Sequence, residues 1–118
     1  MLMNIVERAE TALDGIIPVY TRTPEFAAGK APEKYVILGI AEKGANFSEG
    51  RHNVTEYFVS LGVFTKSLDF ALYERLKAAM SAGDFSYIGG GEVADDRNYP
   101  YITHYYLDFL GVAASRRG

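Results

Sequence analysis

The side chains best suited to move protons near neutral pH are His52 and His104. His104 and Asp108 stand four apart in a stretch that alternates like a strand. They therefore share a face, roughly 13 Å apart by strand rise, too far for a direct hydrogen bond. His52 lies beside Arg51 in a polar segment, where an exposed side chain is the default. Two histidines without a matching carboxylate cluster make a poor metal site. The serines Ser48, Ser60, Ser67, Ser81, Ser86 and Ser115 include none in a GxSxG elbow, so nucleophilic catalysis has no signature. Gly89-Gly90-Gly91 runs into Glu92-Val93 and lacks the GxxxxGK pattern of a phosphate cradle, which favours a bulged or bent strand. Asp95-Asp96 with Asn98 lacks the alternating ligands and distal Glu of a calcium loop and reads as a solvated turn. With no cysteine, disulfides, thiolate catalysis and zinc-thiolate sites are excluded. No catalytic residue, cofactor-binding residue or metal ligand is assigned, and the chain is expected to be neither an enzyme nor a cofactor protein.

The 118 residues fit one domain, 1–118, with 48% hydrophobic and 14% aromatic residues to build a core and 23% charged residues outside. A net charge of −3 gives no electrostatic footprint for a nucleic-acid backbone. The pair Arg116-Arg117 reads as a solvated tail. No apolar run approaches the ~18 residues of a membrane helix. Met1 to Arg8 shows no basic cap before a long apolar stretch, so no secretory leader and a cytoplasmic location are expected. On that footing the sequons Asn46-Phe47-Ser48 and Asn53-Val54-Thr55 are coincidences of a polar loop.

The elements that must position these residues follow from periodicity. Leu2, Ile5, Val6, Ala9, Ala12 and Leu13 mark an amphipathic helix stopped by Gly15. Ile16 to Tyr20 reads as a short strand kept at an edge by Pro18. Residues 21–33 form a surface loop, and Lys34 to Ala41 a strand near the middle of a sheet. In Val54 to Thr65, Thr55, Tyr57, Val59, Leu61 and Val63 alternate with Glu56, Phe58, Ser60, Gly62 and Phe64, making a long hairpin with the strand before it. A second helix, capped by Thr65 or Ser67 and with Asp69 in its first turn, presents Leu68, Ala71, Leu72, Leu76, Ala79 and Met80 on one face and ends at Gly83. Phe85 to Val93 and Tyr101 to Val112 supply further strands. The order describes an α+β fold: an antiparallel β-sheet of about four to five strands with two helices packed on one face.

Nine tyrosines and seven phenylalanines exceed what one face of a sheet needs. Phe58 and Phe64 share a strand face with Glu56 and Ser60, and Tyr106 shares one with His104 and Asp108. Such a face is covered either by a helix of the same chain or by another subunit. The polar connection Glu42 to Asn53 is longer than a hairpin requires and carries a lone aromatic, Phe47, which suits an assembly contact or a loose hairpin tip. Phe47, Glu49, Arg51, His52, Phe58, Phe64 and Tyr106 are the candidate assembly residues.

Ile17-Pro18-Val19-Tyr20 after a short helix, the strand Tyr57 to Phe64, the helix Leu68 to Leu76, and an acidic turn leading into Tyr105-Tyr106-Leu107-Asp108-Phe109 follow one another in a familiar order. In that pattern, over nearly its whole length, the chain resembles the tail terminator, or tail-completion, proteins of long-tailed bacteriophages and prophages. The resemblance implies a structural virion protein that forms a ring, commonly sixfold. Such a ring caps the tail tube at its head-proximal end and offers a surface to the head. Partners would be other copies of the chain, the tail tube protein and a head–tail connector protein, with no membrane and no sequence-specific nucleic acid. It would be cytoplasmic during assembly and then part of the virion. The family has no catalytic residues to carry over. A head-completion or connector subunit is the alternative within the same class. A small enzyme with a pocket between sheet and helices is the alternative outside it, with only His104, Asp108 and scattered tyrosines to offer.

Overall fold

The computed structural model describes residues 4–26, 31–45, 54–93 and 103–114. Helix α1 (Ile5–Leu13) opens with a capping box: the Asn4 side chain accepts from Glu7 N at 2.8 Å, and Glu7 Oε1 accepts from Asn4 N at 3.3 Å. Ile5, Ala9 and Leu13 form its buried stripe, and the chain leaves the helix through Gly15 at φ +80°, a conformation that suits a residue without Cβ.

Strands β1 (Val19–Tyr20), β2 (Tyr35–Ala45), β3 (Val54–Thr65), β4 (Ser86–Glu92) and β5 (Thr103–Ala114) form one sheet in the order β1-β2-β3-β5-β4. Helix α2 (Phe70–Ala82) connects β3 to β4. The fold is α+β, with both helices packed on one side of the sheet, as periodicity implied. The sheet is mixed and not wholly antiparallel, because β1 runs parallel to β2, with Val36 N donating to Pro18 O at 2.9 Å. Pro18 has no N–H to give, and the pairing is confined to Val19 and Tyr20 at the sheet edge.

The strand Tyr35–Ala45 is second in the order, and β3 takes the centre. It also runs past Ala41: Glu42 pairs with Tyr57, a bulge follows, and Lys43 Nζ reaches Glu56 Oε1 at 3.0 Å. Because β1 reaches only Val36 and Ile37, Glu42 and Lys43 remain exposed at that end of β2, and their polar character resembles that of a loop.

Helix α2 starts at Phe70, two residues after the Leu68 that opened its apolar pattern. Asp69 is its N-cap, accepting from Leu72 N at 3.1 Å, whereas Thr65 spends its hydroxyl on Ser67 O at 2.6 Å. The buried stripe is therefore Leu72, Tyr73, Leu76 and Met80, and Leu68 and Ala71 lie outside it, exposed.

The core fills the space between the helices and one sheet face. Val36 and Leu38 from β2, Val59, Leu61 and Val63 from β3, and Leu107 and Phe109 from β5 meet Ile5, Ala9, Leu13, Leu72, Leu76 and Met80. Tyr73 stacks on Tyr105 with centroids 4.2 Å apart, tying α2 to β5. Phe85, at the entry to β4, is buried against Gly111, where a Cβ would approach its ring to 2.7 Å. The bulge expected at the three glycines of β4 falls just ahead of them, at Ile88, where register shifts between Tyr87 and Gly89, while Gly89 to Gly91 pair regularly with β5. At Gly90 a Cβ would sit 2.6 Å from Tyr106 O, so the close approach requires glycine there.

Candidate interaction face

Strand alternation sends one set of side chains to the helices and the other to the opposite face of the sheet. On that opposite face the register aligns four rows across the strands. Tyr35, Phe64 and His104 form the first; Ile37, Gly62, Tyr106 and Gly91 the second; Gly39, Ser60, Asp108 and Gly89 the third; Ala41, Phe58, Leu110 and Ser86 the fourth. Among the described residues no helix packs here, since α1 and α2 both join the core on the other side.

The first row is closed by its own rings. Phe64 lies between Tyr35, stacked at 5.0 Å, and His104, stacked at 4.2 Å, while Tyr20 and Phe26 meet Tyr35 edge-on at 5.8 and 5.4 Å. Phe64, a candidate contact residue, is consequently only 8% exposed and packed among rings of its own chain. His104 leans over Gly62, where a Cβ would meet its Nε2 at 2.9 Å.

The third row forms the floor of a groove. Ser60 Oγ donates to Asp108 Oδ1 at 2.7 Å, and both residues are half-buried. Gly39 and Gly89 extend the floor at either end with no side chain to raise it. Phe58, 42% exposed, and Leu110 stand on one side, and Tyr106, 36% exposed, on the other, so that apolar walls flank a polar floor. Val112, beyond Phe58 along the sheet, is also exposed.

His104 and Asp108 do share this face, as their spacing implied, but Asp108 is bonded to Ser60 and not to His104. Phe58 and Tyr106 are placed here as anticipated. Phe47, Glu49, Arg51 and His52 lie outside the described residues. No family model and no curated protein matches the chain. Among the described residues no group of three or more His, Asp or Glu side chains is gathered for a metal ion, and no helix is long and apolar enough to cross a membrane.

Two depressions lie elsewhere, one on the outer side of α1 beside Glu7, Glu10, Thr11 and Asp14, the other beside Glu33, Lys34 and residues 65–69. Both are open to solvent, and neither contains the groove residues. The arrangement on the sheet face thus offers apolar contact area around one hydrogen-bonded carboxylate, the make-up of a binding surface. Its Ser60–Asp108 pair, together with Leu110 and Val112, went unnoticed in the sequence. Extending the alternation of Tyr106 and Asp108 by two and four residues finds Leu110 and Val112. Pairing Ser60 with Asp108 needs the β3–β5 register, which sequence spacing does not supply.

Proposed function

We propose that the chain is a structural protein that works by assembling with copies of itself, as a ring-forming tail-completion subunit that caps a phage tail tube and joins it to the head. The observation that carries this reading is a sheet face on which, among the described residues, no helix packs while Phe58, Tyr106 and Val112 stand exposed. Exposed aromatic and aliphatic side chains gathered on one face, around few charges, are what an interface core requires. The tail-completion role in particular rests on the order of elements and on Tyr105 to Phe109 resembling that family.

The test has two parts. Multi-angle light scattering and negative-stain microscopy of the purified chain should show association that grows with concentration and ends in closed rings, alone or seeded on tail tubes. Tube protein polymerised in its presence should give tubes of limited length. A chain that stays monomeric at every concentration and neither decorates nor shortens tubes would sink the reading. A gene neighbourhood encoding a major tail protein and a tape-measure protein would support it, and a metabolic operon would count against it.

A further inference from the structure

The exposed large apolar side chains outside the groove face include Leu68, 45% exposed, and Phe70, 59% exposed, at the start of α2. They adjoin an outward side of α2 carrying Ala71, Arg75 and Ala78, all exposed, at helical spacing. Arg75 has no ion pair among the described residues, whereas its neighbours Glu74 and Lys77 bond each other at 2.7 Å. The α2 surface therefore presents small residues around the uncommitted Arg75, with the exposed Glu74 beside it neutralised by Lys77. Across the molecule, the groove presents apolar walls around one carboxylate.

We propose that the groove receives the outward side of α2 from a second copy of this chain, with Arg75 of that copy set against Asp108; this rests on the self-assembly reading above. Dimensions agree. Walls four residues apart along a strand are separated by roughly 13 Å, and a helix with short side chains needs about 10 Å. The groove floor crosses four strands, β2, β3, β5 and β4, a length of roughly 14 Å, which accommodates the roughly 10 Å of helix from Ala71 to Ala78. Charge selects the helix. The outer side of α1 carries Glu7, Glu10 and Asp14, which Asp108 and Glu56 would repel, while Arg75 meets a carboxylate whose Oδ1 is already held by Ser60. Bidentate or single, an arginine–carboxylate contact inside an apolar rim is stronger than the same pair in water.

Because the two surfaces lie on opposite sides of the sheet–helix sandwich, the contact is head-to-tail. Every copy offers one groove and one helix, so contacts propagate and close into a ring when the two surfaces are suitably inclined.

Sedimentation velocity on the full chain tests the pairing. Arg75→Glu alters an exposed helical site with another good helix former, so folding is retained. It should weaken self-association by about tenfold or more. Adding Asp108→Arg to it should restore association. A second measurement avoids substituting the half-buried Asp108: since the chain has no cysteine, Ala41→Cys with Ala78→Cys in one chain lets a short thiol cross-linker join groove to helix. A ladder of linked dimers, trimers and higher species is expected from the double variant, and neither single variant should extend past dimers. Wild-type association that is indifferent to Arg75→Glu, with no ladder, overturns the groove–helix pairing while leaving self-assembly intact. A wild-type chain that never associates overturns both.

Discussion

At the scale of single residues, the two sheet faces assign opposite roles to side chains of the same type. Phe109 is fully buried beneath the helices, and Phe58 stands exposed beside the groove. Phe109→Ala should cost about 3–5 kcal/mol, because it removes a ring from a closed core and leaves a cavity. Phe58→Ala should cost clearly less, about 1–2 kcal/mol, since part of its ring is in water already and its loss leaves no closed cavity. Urea titrations of both variants give the comparison. Glycines offer a second contrast. Gly90→Ala sets a methyl against the backbone oxygen of Tyr106 at 2.6 Å, which only a shift of the strand relieves. Gly62→Ala meets the tip of His104 at 2.9 Å, and that side chain can swing aside. Gly90→Ala should therefore lower the melting temperature by more than Gly62→Ala. Face membership within a strand was legible from alternation, which placed Phe58 with Ser60 and Tyr106 with His104 and Asp108; that the two sets share one sheet face depends on the β3–β5 register. Partnership was not: Phe64 has the parity of a contact residue but is enclosed by Tyr35 and His104, two rings from strands remote in sequence.

At the scale of elements, the helices are set by their caps and the strands by their neighbours. Asn4 and Glu7 reciprocate at the start of α1, and Asp69 starts α2. Asn4→Ala and Asp69→Ala should each cost about 1 kcal/mol, with Asp69→Asn nearly neutral because the amide oxygen can take the same bond from Leu72 N. Thermal denaturation resolves these shifts. Position along the sheet sets strand stability: β3 is hydrogen-bonded on both sides along its length, while β1 joins by two residues. Amide exchange should be slowest in Val59 to Val63 and much faster in Val19 and Tyr20. Helix existence and β1's edge position could be read from residue periodicity and Pro18. The cap of α2 could not, because Thr65, Ser67 and Asp69 are all good caps, and the choice depends on Thr65 bonding Ser67 O inside the connection. The parallel sense of β1 was hidden for a similar reason. Direction depends on how the segment after α1 returns to β2, a three-dimensional constraint with no residue pattern of its own.

At the scale of the whole molecule, the helices form one layer and the sheet the other, and among the described residues no helix covers the sheet's far face. Helices α1 and α2 satisfy one sheet face, and the other keeps a groove of Gly39, Ser60, Asp108 and Gly89 between Phe58, Leu110 and Tyr106. Leaving aromatic area in water gives up part of the burial that stabilises a domain of this size, and a second copy can supply it. The association should respond differently to salt and to apolar truncation. If Arg75 and Asp108 contribute by charge, raising ionic strength weakens association moderately, whereas Phe58→Ala weakens it at any salt. Sedimentation equilibrium of the wild-type chain beside Phe58→Asp with Tyr106→Asp, each first shown by its melting temperature to be folded, tests assembly through this face most directly. The wild-type average mass should climb with concentration, and the folded variant should remain a monomer throughout. A folded variant that associates as strongly as the wild type, or a wild-type chain that stays monomeric throughout, would contradict assembly through this face.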